Sequence, residues 1–138
     1  MKKLVLLAGL ASVSAFAADF ELKGDATKGE AQYKTLCVAC HGEKGDGNGP
    51  AGAALTPKPT NFTDAANSER LAEEYVYKVI KNGGAANGRS PMMVAWSGAL
   101  NEQQLRDVSA YVLKFKPAKA APAAPAKKDD KKKPAAKK

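Results

Sequence analysis

The chain is short of the residues from which most metal and catalytic sites are assembled. Its 138 residues include one histidine, His41, and two cysteines, Cys37 and Cys40. Structural zinc normally takes four Cys or His ligands, and no fourth partner of either kind exists anywhere in the sequence. Acid–base chemistry that calls on a second imidazole has no material either. No apolar run reaches the ~20 residues that span a bilayer, no period-two alternation marks a strand, and no segment repeats. Excess charge is missing where the basic pI of about 9.5 would place it. Of the formal +8, two lysines precede residue 18, eight lysines against two aspartates follow residue 116, and residues 18–116 hold twelve basic and twelve acidic side chains. A folded basic surface for nucleic acid is therefore not indicated.

The two ends account for that charge. Lys2-Lys3, the apolar run from Leu4 to Val13 and the small-x-small Ser14-Ala15-Phe16-Ala17 read as a secretory signal spanning residues 1–17, cleaved after Ala17. The expected destination is a bacterial periplasm. From Pro117 to Lys138 the sequence is almost wholly Ala, Pro and Lys, the composition of a disordered tail. Such a tail is either a solvated appendage or an electrostatic tether to anionic lipid or an acidic redox partner, at up to roughly 1 kcal/mol per lysine near a charged membrane. Between the ends, residues 18–116 suffice for one small domain.

The chemistry concentrates in Cys37-Val38-Ala39-Cys40-His41. Two thiols three apart followed at once by an imidazole match the attachment site of a c-type haem. Each thiol adds across one vinyl group, sulfur to one carbon and hydrogen to the other, and the next side chain, His41, becomes the fifth iron ligand. A redox-active disulfide wants a strand just before the motif, where this sequence looks helical. A structural disulfide leaves the adjacent His41 without a role. With a single histidine, bis-histidine coordination within a monomer is excluded, and the methionines left after cleavage are Met92 and Met93, side by side in Ser90-Pro91-Met92-Met93-Val94-Ala95-Trp96. A thioether favours ferrous iron and raises the reduction potential.

Helical periods surround the motif. Asp25 is a good N-cap for a first helix running through Gly29, Tyr33 and Leu36 to the cysteines. A second is expected after Ser68, ending at Asn82 before Gly83-Gly84, with Leu71, Tyr75, Val76, Val79 and Ile80 as core stripe. The third opens at Asn101 with Gln104 as a capping box and carries Leu105, Val108, Val112 and Phe115. Gly42 to Pro59, with five glycines and three prolines, reads as loop.

In this order of signal, early Cys-x-x-Cys-His, Gly/Pro-rich loop, late methionine and terminal helix bearing Ala110-Tyr111-Val112, the chain resembles a class I bacterial cytochrome c over nearly all of residues 24–116. The resemblance implies an all-α fold of three main helices around one covalently bound haem c, the first and last crossing near Gly29 and Tyr111. The family's Met-Pro-x-aromatic pattern aligns with Met93-Val94-Ala95-Trp96, which favours Met93 as the sixth ligand and leaves Met92 as the alternative, since Val94 stands where the pattern has proline. The Pro50 carbonyl is implied as acceptor from His41, and the Trp96 indole as donor to a haem propionate. Leu55, Pro57, Pro59 and Phe62 are implied as apolar pocket walls. The implied function is not enzymatic: a monomeric, periplasmic one-electron carrier between a respiratory-chain donor and a terminal oxidase or reductase, meeting its redox partners transiently. The alternative is a haem c subunit docked in a larger respiratory or oxidoreductase complex.

Overall fold

In the computed structural model, which describes residues 20–118, the first helix starts at the expected aspartate. The extended Asp25 accepts through its carboxylate from the N–H groups of Thr27 and Lys28, and helix α1 runs Ala26–Leu36. The expected leader at 1–17 lies outside the described residues, as does the 117–138 tail beyond its first two positions.

The helix does not run on into the motif. Cys37, at φ −111°, breaks it, and a single turn, α2 (Val38–His41), follows and is closed by Gly42 at φ 76° and ψ 157°. That combination is open essentially to glycine alone. The loop from Gly42 then folds back on α2: the N–H groups of Gly47, Gly49 and Ala51 donate to the carbonyls of His41, Cys40 and Ala39. A 3₁₀ turn at Gly52–Ala54 interrupts what the composition reads as plain loop.

The second helix starts later than the periodicity suggests. Residues Ala65–Arg70 form a 3₁₀ stretch capped by Asp64, and the α-helix α3 is Glu73–Asn82. Leu71 (φ −101°, ψ 41°) and the extended Ala72 separate the two. The break turns Leu71 into the core and leaves Glu73 and Glu74 in the first turn of α3, where carboxylates offset the exposed N–H groups. The expected core stripe is also divided: Val76 and Ile80 are buried, whereas Tyr75 and Val79 are half-buried on a cavity wall. Tyr77, on the other side, is buried.

The last helix, α4 (Glu102–Leu113), carries the full capping box, Asn101 accepting from the Gln104 N–H and the Gln104 side chain accepting from the Asn101 N–H. It crosses α1 at Gly29, where an added Cβ would stand 2.0 Å from the Asp107 carbonyl oxygen. The mid-helix glycine, which costs about 1 kcal/mol against alanine, thus permits backbone contact between the two helices. Around the crossing, Tyr33 and Val108 are each 1% exposed, and the Tyr33 and Tyr111 rings lie 5.2 Å apart. Asp107 reaches across to accept from the Asp25 N–H at 2.7 Å, satisfying one orphan donor of α1. Residues before α1 join this frame as well. Leu22 is buried, and Arg106 donates to the carbonyls of Glu21 and Leu22, both at 3.0 Å, with its guanidinium over the Phe20 and Tyr77 rings. Among the described residues there is no strand, and no helix is long and apolar enough to cross a membrane.

Candidate haem site

Among the described residues, helices and loops line an open cavity of about 350 Å³, within the range of cofactor pockets. Cys37, Cys40 and His41 line it from the α1–α2 break, Tyr75 and Val79 from α3, and Met92, Met93 and Trp96 from the segment between α3 and α4. Leu55, Pro57, Pro59 and Phe62 contribute further wall. Pro50 does not. It is exposed, between Gly49 and Ala51, whose N–H groups donate to the carbonyls of Cys40 and Ala39. The buried His41 Nδ1 has no hydrogen-bond partner in this structure. The Trp96 indole likewise enters no recorded side-chain bond; its ring packs against the core and its backbone N–H donates to the Ile80 carbonyl at 3.0 Å.

The two methionines differ sharply. Met92 is 62% exposed, while Met93 is half-buried and packs against the core. The His41 ring stacks on Phe62 with centroids 4.8 Å apart, and burial holds its basicity below the ordinary imidazole value, partly offset by the Thr60 backbone. A buried nitrogen without a partner costs roughly 1–3 kcal/mol unless another interaction compensates, and a neutral, desolvated imidazole is a ready iron ligand. Burial also pushes the Cys37 thiol up to about 12, with the neighbouring Cys40 adding to the shift. This thiol stays protonated at neutral pH, the reverse of the low-pKa thiolate that a disulfide oxidoreductase requires. Both cysteines are free. Among the described residues no three His, Cys, Asp or Glu side chains converge into a group that could hold a metal ion. The donor set and the apolar walls fit a haem: two thiols to anchor it, an imidazole and a thioether to hold the iron.

Several wall residues carried no sequence signal of their own. Arg89 donates through Nε to the Tyr75 hydroxyl at 2.6 Å, and Lys58, Arg70 and Arg89 are the charged residues of the wall, all cationic. Their spacing along the chain says nothing of a shared wall: Lys58 comes from the loop before the 3₁₀ stretch, Arg70 from its end and Arg89 from the α3–α4 connection.

A helical frame with a Cys-x-x-Cys-His turn facing an apolar cavity defines a c-type haem protein. The Cytochrome c family model matches residues 26–116, and the chain belongs to that family. Its fold is the all-α class I cytochrome c fold, and its cofactor is covalent haem c, one per Cys-x-x-Cys-His motif. Members of the family are electron carriers rather than enzymes. Among curated relatives, cytochrome c-554(547) of Halothiobacillus neapolitanus is 30% identical over 99 residues, covering 67% of this chain and 99% of the relative. Cytochrome c-554(548) of Halomonas halodenitrificans is 28% identical, covering 64% of this chain and 93% of the relative. The cbb3-type cytochrome c oxidase subunit FixP of Bradyrhizobium diazoefficiens is 34% identical over 88 residues, and there the match spans only 27% of the relative's length. A chain of the Kuenenia stuttgartiensis reducing HAO-like protein complex superposes with a TM-score of 0.53 at 33% identity, covering 65% of this chain and 41% of that one.

Proposed function

We propose that this cytochrome c is a periplasmic, monomeric, single-haem carrier that takes one electron from a respiratory-chain donor and delivers it to a terminal oxidase or reductase. The observation that carries the reading is the convergence of Cys37, Cys40, His41 and Met93 on one apolar cavity. The haem, when bound, supplies the Fe(III)/Fe(II) couple. What the chain supplies is a frame: Cys37 and Cys40 would anchor the haem, His41 and Met93 would hold its iron, and Trp96 and Phe62 would help to exclude water from it. An iron held by protein ligands on both sides would suit electron transfer rather than substrate binding. Burial favours Met93 over the exposed Met92 as the thioether.

An absorption spectrum of the matured protein tests this. A low-spin form with a weak near-infrared thioether-to-iron band supports the carrier; a high-spin form that takes up carbon monoxide in both oxidation-competent preparations and native extracts overturns it. Reduction of the purified protein by membrane fractions with defined donors and inhibitors then identifies its place in the chain.

The relatives motivate a second reading. FixP is by name an oxidase subunit, and the Kuenenia chain comes from a protein complex. In that reading the domain is docked in a larger assembly, with the lysine-rich tail as the electrostatic contact. Size-exclusion chromatography of native extracts separates the two, and deletion of residues 117–138 should slow electron exchange with membranes at low ionic strength and leave it unchanged at high salt.

A further inference from the structure

We propose that Gly83 and Gly84 act as a register clamp, positioning the methionine loop so that, of the two methionines on the cavity wall, Met93 is the one packed inward while its identical neighbour Met92 stays exposed. The inference rests on the reading of Met93 as iron ligand. Two adjacent thioethers are chemically equivalent, so side-chain chemistry gives no means of choosing between them. The choice falls to the backbone.

Gly83 leaves α3 at φ 81° and ψ 167°, a conformation essentially confined to glycine. That turn brings the Gly84 N–H to the Met93 carbonyl at 2.7 Å, while the Gly84 carbonyl accepts from the Arg89 N–H at 2.8 Å. Beyond the methionines, Trp96 and Ser97 donate to the carbonyls of Ile80 and Lys81 at 3.0 and 3.3 Å. These carbonyls belong to the last turn of α3, which has no intrahelical partner for them. The loop is therefore held at Met93 itself by Gly84, just past α3, and beyond the pair by the last turn of α3. The Asn87 side chain closes the tip, donating to the carbonyls of Gly83 at 2.7 Å and Lys78 at 3.3 Å.

Space makes the clamp specific. A Cβ on Gly84 would stand 2.2 Å from the Ser90 carbonyl oxygen and 3.1 Å from the Met93 Cβ; one on Gly83 would stand 3.0 Å from the Ala95 nitrogen and 3.1 Å from the Met93 oxygen. Each would push the loop off α3 at the methionines. Gly88 lies in the same loop at φ 65° and has nothing within 4 Å of a Cβ, so it supplies a control that strains the backbone without touching the clamp. A slip of one residue would pass the Gly84 bond to a neighbouring carbonyl and exchange the buried methionine for the exposed one.

The test uses matured holoprotein carrying Gly84→Ala, Asn87→Ala, Gly88→Ala, Met92→Leu or Met93→Leu. The readouts are the near-infrared band, the midpoint potential and the affinity of the ferric form for imidazole, which competes with the thioether. Gly84→Ala is expected to weaken the band, lower the potential and tighten imidazole binding by roughly tenfold. Asn87→Ala is expected to move all three the same way by less, and it decides the matter if Gly84→Ala yields no holoprotein. Gly88→Ala should leave all three unchanged. Unchanged values in Gly84→Ala, or in Asn87→Ala where it must stand alone, together with a lost band in Met93→Leu, overturn the clamp and leave the ligand assignment intact. A band kept in Met93→Leu and lost in Met92→Leu overturns the ligand assignment and the clamp with it.

Discussion

The two sides of the cavity present the two residues proposed to hold the iron by different means. His41 follows directly on Cys40 within one helical turn, and the loop after it is bonded back onto the carbonyls of Ala39, Cys40 and His41. Its placement is local, set within about a dozen residues and reinforced by the covalent attachment of the haem. Met93 has no such frame. It sits in a segment of irregular backbone between α3 and α4, and its position depends on contacts with the end of α3. The comparison teaches that one proposed ligand belongs to a motif and the other to a fold. The first survives wherever the motif is read by the maturation machinery; the second exists only once α3 and the loop have packed.

The largest expected effect strikes the covalent side. Replacing Cys37 and Cys40 together by serine should abolish attachment, giving protein whose intact mass lacks the porphyrin increment under denaturing conditions. If the mass keeps that increment, the motif is not the anchor and the contrast between the two sides fails. Next in size, Met93→Leu should leave covalent haem in place and remove the near-infrared band, with a sharp fall in potential measured by redox titration; Met92→Leu should change neither. The same band surviving in Met93→Leu would give the role to Met92.

A smaller effect sharpens the comparison within the backbone. Gly52 sits where a Cβ would stand 2.0 Å from the Cys40 carbonyl oxygen. Gly52→Ala should destabilise the holoprotein by about 1–3 kcal/mol, the usual cost of forcing atoms into a packed site, measured by denaturant unfolding. Its potential should stay close to that of the parent, because the substitution leaves the two thioether anchors, His41 and Met93 in place. A fall as large as that of Met93→Leu would show that the proximal loop tunes the iron as strongly as the distal ligand does.

The same contrast explains what could be read from the chain without a structure. The Cys-x-x-Cys-His turn, the Asp25 cap, the Asn101–Gln104 box and the Gly29 crossing are visible because each is a short-range pattern with a physical reason at its own position. Glycine at a helix crossing and a carboxylate at a helix start carry their explanation with them. The start of α3 was not visible, since Leu71 continues the apolar period across a break that only backbone dihedrals reveal. How Pro50 stands to His41 was not legible either: a proline near the motif says nothing of which way the loop folds, and the structure leaves Pro50 exposed. Phe20 and Leu22 offered a faint signal, two apolar residues just before a helix cap, that was too short to mark as core. The cationic wall residues Lys58, Arg70 and Arg89 offered none, because they come from separate segments.

Tyr33 joins the two sides of the argument, and its hydroxyl is the subtlest place to test them. It donates to the Gly42 carbonyl at 2.8 Å, tying α1 to the glycine turn directly behind His41. Tyr33→Phe keeps the packing of the ring and leaves that carbonyl short of a donor, so a loss of about 1 kcal/mol is expected near neutral pH. The pH profile carries the sharper signature. Burial, with the nearby Cys37 and Tyr111 adding to it, raises the phenol well above its ordinary value in the folded protein. An exposed tyrosine titrates near pH 10. Above that pH the unfolded chain gives up a proton that the native state keeps, so the stability of the parent should fall as pH rises, while Tyr33→Phe lacks this contribution. The gap between the two proteins should therefore be full below about pH 10 and narrow above it. A gap that stays constant through the alkaline range would mean that the hydroxyl is not held protonated against Gly42, and that the turn behind His41 is fixed by the glycine alone.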